Sequence, residues 1–355
     1  MDFAQKDRMK VVEREPSDGH ERLLHATDQG TGLNALISIH STARGPAAGG
    51  CRMFPYGSID EAITDVERLS RGMTYKNAAA DLPLGGGKSV IIGRPDRDKT
   101  PVLMRAFGDF VNALEGTYYT AEDVGISPHE LAYAAERSDF VVGLKGGPFA
   151  SGDPSPFTAQ GVFNAMTVTW AHLTGIPNLS GVTVAVQGLG HVGMHLARRL
   201  HEVGADLIVS DLNSERVREA QTEFAAIAVA PSEIFVQQAD IFAPCAMGAA
   251  INAETVPRLK VRAVVGAANN QLASDDMGQA LKDRGILYAP DYVVNGGGIV
   301  NVAMEILQVT DARFRDERLA GLRESLDHIL REAAATGGLP HHIADTYIEE
   351  RLRFP

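Results

Sequence analysis

The sequence predicts a two-domain α/β protein: an N-terminal α/β domain and a second domain on a doubly wound parallel sheet, with a cleft between them. Three observations carry that expectation. At 355 residues the chain is long enough for about two domains of ~150 residues, each with its own core. Short β-branched runs alternate with stretches of helical periodicity along most of its length. A glycine-rich turn, GLGHVG at residues 188–193, stands between one such run and one such stretch.

Composition narrows the class. Apolar residues make up 45% and charged residues 22%, near the globular norm, and no run approaches the ~18 apolar residues of a membrane-spanning helix. The opening MDFAQKDRMKVVEREPSD mixes charges without an apolar stretch, unlike a secretory or transit signal. Cys51 and Cys245 are the only cysteines, too few for a disulfide framework, and they suit a reducing compartment. A cytoplasmic protein with no membrane partner is expected. A net charge of −12 would repel a phosphate backbone, which argues against nucleic acid. The 36 glycines exceed the average share of ~7%, and their clustering implies close backbone approach.

Taken in order, LNALISI (33–39) reads as a strand, and Ile59, Ala62, Ile63, Val66 and Leu69 recur at helical spacing. A strand KSVII (88–92) follows, then an amphipathic helix carrying Val102, Leu103, Ala106, Phe107, Phe110, Val111 and Leu114, then a short apolar stretch at 118–120. The segment GGPFASGDPSP (146–156) is dense in Gly, Pro and Ser, which marks an irregular connection and a domain boundary. Beyond it come a helix over about 158–173 and the strands VTVAVQ, LIVSD (207–211), DIFAPC (240–245), AVVGAAN (263–269) and ILYAP (286–290). Leu319, Leu322, Leu326, Ile329 and Leu330 share one helical face in the tail. The expected division is 1–145 for the substrate and catalytic domain and 146–310 for the dinucleotide domain. Helices over 311–355 are expected to pack back near the cleft or the first domain.

Gly188, Gly190 and Gly193 follow the strand directly and precede a helix marked by Val192, Leu196 and Leu200, while Asp211 closes the next strand. That is the order of a Rossmann dinucleotide site. The first glycine permits the turn, the second admits the pyrophosphate to the backbone, and the third lets helix and strand pack; the helix N-terminus then faces the phosphates. Leu189, His191 and Val192 lie within the same turn. Asp211 would accept hydrogen bonds from the ribose hydroxyls and repel a 2′-phosphate, so NAD is expected rather than NADP. His191 and His195 sit four apart, with His201 beyond, but a zinc-protease helix needs Glu after the first His and Val192 stands there. No metal is expected.

LPLGGGKS (82–89) matches a phosphate loop only at its end, because Leu82 stands where glycine is needed and the strand KSVII follows the glycines instead of preceding them. The glycines are expected to thin the backbone around Lys88 so that substrate reaches its amine. Lys76 lies in MTYKNAAADLP, just past a helix over 68–73. Two ammonium groups converging on one cleft would favour proton loss from the less solvated one, and such a lysine can act as a general base. Ordinary surface cations are the alternative for both.

The motifs GPAAGGCRM (45–53), RLSRGMTYKNAAADLPLGGGKSVI (68–91), TAEDVG (120–125), PSPFTAQGV (154–162), VAVQGLGHVG (184–193), DIFAPCAMGA (240–249), GAANNQL (266–272) and ILYAPDYVVNGGGIVNVA (286–303) resemble the amino-acid dehydrogenases. That family comprises the glutamate, leucine, valine, phenylalanine and tryptophan enzymes. The likeness runs over about 33–305 and is greatest to the leucine enzymes, particularly at 74–80 and 120–125. It implies that Lys76 binds the substrate α-carboxylate, that Lys88 is the catalytic lysine and that Asp123 exchanges protons with the amino group. It also implies that Asn269 lies beside nicotinamide and substrate and that Thr158 lies near the nicotinamide amide. Arg52 touches the cofactor or makes a structural ion pair.

By the same resemblance the side-chain pocket is lined by Ala48, Gly49, Ala121, Ile299 and Val302, none of them charged. Glutamate enzymes use a lysine and a serine where this chain has Ala48 and Val302, so a distal carboxylate would be desolvated without a partner. Ala48 is smaller than its usual counterpart in leucine enzymes, and Gly297 replaces a commoner alanine; both are expected to widen the pocket. The expected activity is NAD-dependent, reversible deamination of an apolar amino acid, leucine or valine first, to a 2-oxo acid and ammonia, by a homo-oligomer. Phenylalanine or tryptophan dehydrogenation is the nearest alternative. A non-catalytic NAD sensor would not need Lys76, Lys88 and Asp123 together, and a hydroxy-acid dehydrogenase would need a histidine that the site segments lack.

Overall fold

The computed structural model describes residues 9–146 and 149–353. The chain divides into two units, one of residues 1–153, 301–315 and 351–355 and the other of 154–300 and 316–350.

A six-stranded sheet forms the first unit: β1 (Lys10–Arg14), β2 (Arg22–Asp28), β3 (Leu33–Ser41), β4 (Ala47–Phe54), β5 (Gly85–Ile92) and β6 (Tyr118–Glu122), in the order β1-β2-β3-β5-β4-β6. The strands β1, β2, β3 and β5 pair antiparallel in succession, and β4 runs parallel to both β5 and β6. Helix α1 (Ile59–Ala79) joins β4 to β5, and α2 (Pro101–Asn112) and α3 (Pro128–Ala135) flank β6 in sequence. The two faces of the sheet are buried separately. Phe107, Phe110 and Val111 of α2 pack with Ile37, Met53, Ile91 and Tyr118; Ala62 and Val66 of α1 pack with Leu23, Leu36 and Val90 on the opposite face.

Two local expectations need correction, and one strand was not foreseen. The glycines before Lys88 are not a loop, because β5 starts at Gly85 and all three are buried. A Cβ at Gly85 would lie 2.0 Å from Ser41 O, one at Gly86 2.1 Å from Thr74 N, and one at Gly87 2.7 Å from the Tyr118 ring. These glycines let α1, β3 and β6 close on β5 and do not open a path to Lys88. Helix α1 also continues to Ala79, so Lys76 lies in its last turn. Thr and Asn are modest helix formers, but Thr74 packs on Gly86 and Asn77 Nδ2 donates to Gly85 O at 2.5 Å, which secures that turn. GPAAGGCRM contains β4, which its Gly and Ala content conceals, since both are depleted in strands.

The second unit has β7 (Thr183–Gln187), β8 (Asp206–Ser210), β9 (Ile227–Ala228), β10 (Ile241–Pro244), β11 (Ala263–Val264) and β12 (Leu287–Tyr288) in an all-parallel sheet ordered β12-β11-β10-β7-β8-β9. That is the doubly wound order, and it reverses between β7 and β10, where such folds bind ligand. Helices α4 (Ser155–Thr174), α5 (His191–Glu202), α6 (Ser214–Phe224), α7 (Asp276–Asp283) and α8 (Asp291–Val294) follow; α9 (Gly297–Ile306), α10 (Ala312–Thr336) and α11 (Pro340–Arg353) complete the chain.

The tail is shared: residues 316–350 belong to the second unit, whereas 311–315 and 351–355 fall in the first, where Arg351 donates to Ala78 O. The apolar face read from sequence is the reason for the former, since Leu319, Leu322, Leu326, Ile329 and Leu330 are buried. Polar contacts add to it: Asp327 lies 2.9 Å from His172 Nε2 of α4, and Tyr292 donates to Asp345 at 2.9 Å. The first unit in turn keeps residues 149–153, because Glu305 accepts from Ser151 N and Oγ and Asn301 Nδ2 donates to Ser151 O. Among the described residues no helix is long and apolar enough to cross a membrane.

The α1–β5 approach leaves no space for a methyl group. Gly86→Ala is expected to lower unfolding free energy by about 3 kcal/mol, the upper end of overpacking effects, in urea denaturation. A change below about 0.5 kcal/mol would mean the helix can withdraw without loss.

Candidate active site

The two-residue period of β5 puts Lys88 on the same face as Val90, towards α1. Arg52, between the core residues Cys51 and Met53 on β4, points the same way. Asp123 comes from a turn just past β6. Ile126 N donates to Asp123 O at 3.0 Å, Gly125 takes φ +83°, and Met53 N donates to Val124 O at 2.9 Å, which lashes the turn to β4. Beyond it Ser127 and Glu130 form a capping box at the start of α3. Gly50 completes the arrangement: a Cβ there would lie 2.5 Å from Glu122 O and 2.9 Å from Asp123 Cβ.

The result is a buried ionic cluster. Lys88 Nζ lies 2.5 Å from Asp123 Oδ2, and Arg52 Nε lies 3.5 Å from the same oxygen. Burial resists ionisation of the Asp123 carboxyl, but Lys88 and Arg52 outweigh it and bring its pKa down to about 2. Arg52 is itself held by Asp65 of α1 at 2.9 Å, and Asp65 accepts from Tyr56 at 2.6 Å and Arg68 at 3.0 Å. Asp65 is also kept below the usual carboxylate range, with burial opposed by the Tyr56 hydroxyl and the two guanidinium groups. The structural ion pair foreseen as one alternative for Arg52 is thus present. Burial pushes the Cys51 thiol up to about 12, so it is inert.

Lys76 stands between Thr74 and Asn77, two α1 residues that touch β5 just before Lys88. Ala48, Ala121 and Val302 are buried small or branched residues of the same unit. Gly49 is fixed by packing, since a Cβ there would lie 1.9 Å from Gly87 O.

In the second unit the glycines at 188, 190 and 193 shape the turn between β7 and α5. Gly188 takes φ +95°, and a Cβ there would strike Ala246 just past β10, at the point where strand order reverses. A Cβ at Gly193 would lie 2.0 Å from Gly188 O, so the first turn of α5 rests on the loop. Gly190 has nothing within 4 Å of its missing Cβ, and α5 has no side-chain cap. Helix N–H groups therefore face open space, an anion cradle that fits a pyrophosphate. His191 is exposed and Val192 partly so, whereas Leu189 is buried. Asp211 already accepts from Leu189 N at 2.6 Å and Asn213 N at 2.7 Å. A carboxylate has about four acceptor sites, so two remain for ribose hydroxyls.

Asn269 is exposed, and its Oδ1 accepts from the buried Asn295 Nδ2 at 2.8 Å, which also donates to Ala267 O. Gln271 fastens the same loop by donating to Gly266 O and Ala268 O. Thr158 sits in the first turn of α4 with its hydroxyl donating to Pro154 O at 3.2 Å. Gly297 does not widen a pocket as expected: a Cβ there would lie 2.1 Å from Phe157 O, so it is α4 that occupies the space. Ile299, at the second unit's end of α9, is 9% exposed. Asp65, Tyr56, Gly50 and Asn295 were not foreseen; Gly50, the third glycine of GPAAGGCRM, and Asn295, within ILYAPDYVVNGGGIVNVA, at least lie in family motifs.

An amine paired with a carboxylate and a dinucleotide cradle on a doubly wound sheet describe a dehydrogenase. Residues 20–139 match the family described as Glu/Leu/Phe/Val dehydrogenase, dimerisation domain, and residues 210–337 match Glutamate/Leucine/Phenylalanine/Valine dehydrogenase. Leucine dehydrogenase of Thermoactinomyces intermedius is 46% identical over 347 residues, covering 97% of this chain and 94% of that protein. Phenylalanine dehydrogenase of Lysinibacillus sphaericus is 49% identical over 292 residues, covering 81% and 77%. The crystal structure of L-tryptophan dehydrogenase from Nostoc punctiforme superposes with a TM-score of 0.82 at 39% identity, covering 94% and 96%. The chain belongs to the glutamate/leucine/phenylalanine/valine dehydrogenase family.

The depressed Asp123 pKa has a definite sign in stability. A carboxyl at about 2 when folded and ~3.9 when unfolded stabilises fully above the unfolded value and loses that contribution as pH falls towards 2. Wild type is expected to lose roughly 2 kcal/mol between about pH 5 and about pH 2 that Asp123→Asn does not lose. Urea unfolding at each pH measures this, and parallel curves for the two proteins would remove the ionised carboxylate from the buried cluster.

Proposed function

We propose that the chain is an NAD-dependent dehydrogenase that converts an apolar L-amino acid, water and NAD to the 2-oxo acid, ammonia and NADH, reversibly. Leucine and valine are the favoured substrates, and the enzyme works in the cytoplasm as a homo-oligomer. The buried Lys88–Asp123 pair at 2.5 Å is the observation that carries this reading. Bound NAD, held at Gly188–Gly193 with Asp211 on its ribose and Thr158 and Asn269 near its nicotinamide, would accept the hydride from the substrate Cα. Lys76 binds the substrate carboxylate. At rest Asp123 is ionised against the Lys88 ammonium; a substrate ammonium entering beside it competes for that carboxylate, and the lysine proton can leave. As a neutral amine, Lys88 deprotonates the water that adds to the substrate imine, and Asp123 relays protons to the departing ammonia.

The uncharged set Ala48, Gly49, Ala121, Ile299 and Val302 supports an apolar side chain. The small Ala48 favours an aromatic substrate as the second reading. A panel of Leu, Val, Phe, Trp and Glu, followed by NADH absorbance, tests both: turnover of Leu and Val, some activity on an aromatic and none on Glu are expected. Robust turnover of Glu would overturn the pocket assignment. Lys88→Ala is expected to lose roughly 10²–10⁴ in kcat with NAD affinity unchanged; lost affinity would place Lys88 on the cofactor.

Asp211 sets the cofactor preference in this reading. Asp211→Ser is expected to narrow the gap in kcat/KM between NAD and NADP, since it removes both the ribose acceptor and the repulsion of a 2′-phosphate. Equal use of the two by wild type would remove Asp211 from that role.

A further inference from the structure

We propose that Asp275, His341 and His342 form a binding site for a divalent transition ion, zinc foremost. Their ligand atoms all lie within 4.8 Å of one another. Both imidazoles turn Nε2 towards the same oxygen, Asp275 Oδ1, at 3.2 Å from His341 and 2.7 Å from His342. A tetrahedral ion with ligands at ~2.0–2.1 Å holds them about 3.3 Å apart. The His341 to Asp275 spacing already has that value, and the half-exposed His342 needs only a small outward swing.

Hydrogen bonding alone does not account for how the site is built. Asp275 occupies the N-cap position of α7 yet makes no capping bond to it, although capping is the usual use of an aspartate there. Its carboxylate is turned to the two imidazoles instead. The His341 ring lies against Gly278, where a Cβ would come within 2.0 Å of its Cε1, and meets the Tyr288 ring edge-on at 6.2 Å. With its side chain 13% exposed, this imidazole is fixed before any ion arrives. Two imidazoles and a carboxylate suit zinc and its neighbours better than calcium or magnesium, and they leave a coordination position for water. His341 Nδ1 is buried with no hydrogen-bond partner among the described residues, and a ligating imidazole without such support binds less tightly. Micromolar affinity follows. The ion would tie the start of α7 to the first turn of α11 and so clamp the C-terminal helix to the nucleotide unit.

Zn²⁺ titrated into the chelator-stripped full chain, in competition with a chromophoric chelator, tests the site. One ion per chain with a Kd of about 1–10 μM is expected, accompanied by a rise in Tm. Asp275→Asn and His342→Ala, both at exposed side chains, should each weaken binding by about 10–100-fold and abolish the rise. His195→Ala, which alters a histidine pair four residues apart in sequence on α5, should leave binding intact. No binding below about 100 μM overturns the proposal, as does binding that survives both variants or is lost in His195→Ala.

Discussion

The Asp123 carboxylate, buried between Lys88 and Arg52, is the constraint to which the first unit answers. An unpaired charge at that depth would be strongly destabilising, and removing one partner of a buried pair costs about 3–5 kcal/mol. The sequence meets the constraint with a relay of alternating sign, Lys88, Asp123, Arg52, Asp65 and Arg68, that ends on an exposed guanidinium. Five side chains on two strands, one turn and one helix can meet only if their backbones approach closely. Gly50, Gly85, Gly86 and Gly87 permit that, each at a place where a Cβ would strike a neighbour. Glycine content and charge order are one design: close backbones that let buried charges of opposite sign meet.

The second unit solves a different problem, that of a glycine-rich turn leading into a helix without a side-chain cap. Its turn must leave N–H groups unspent at the start of α5 while satisfying the rest. Asp211 takes up the Leu189 N–H, and Asn213 caps α6 directly after it. Gln271 and Asn295 do the same for the loop after β11, tying down Gly266, Ala267, Ala268 and Asn269 by side-chain amides. Rigid loops around an open cradle are what preorganised ligand binding requires.

What the sequence disclosed, and what it hid, follow from the range of the physics involved. The turn at 188–193 is legible because its requirements are local: a strand, three glycines, a helix and an acid, all within about 30 residues. Lys88 and Asp123 are legible through family motifs, but not their meeting at 2.5 Å, since strand order is a long-range property. Asp65 and Tyr56 were invisible, because an aspartate on a helix face and a tyrosine in a loop have no local signature. The glycine run 85–87 was misread for the same reason: glycines that open a backbone to ligand and glycines that admit a neighbouring helix look alike until the neighbour is placed. Gly297 repeats that lesson against α4.

Substrate choice is the property least tied to these global features. Relatives named for leucine and for phenylalanine lie at 46% and 49% identity, so overall likeness does not separate the two activities. Energetics explain why it should not. A methylene in an apolar pocket is worth about 0.8 kcal/mol, and one to three methylenes shift kcat/KM by roughly 10–200-fold. Two or three side chains therefore outweigh the rest of the chain in setting preference, while leaving percentage identity almost unchanged. Gly49 and Gly297 are locked by backbone contacts, whereas Ala48 and Val302 are buried side chains. An apolar pocket of any shape rejects a charged side chain on principle, since no apolar rearrangement supplies the partner a buried carboxylate needs.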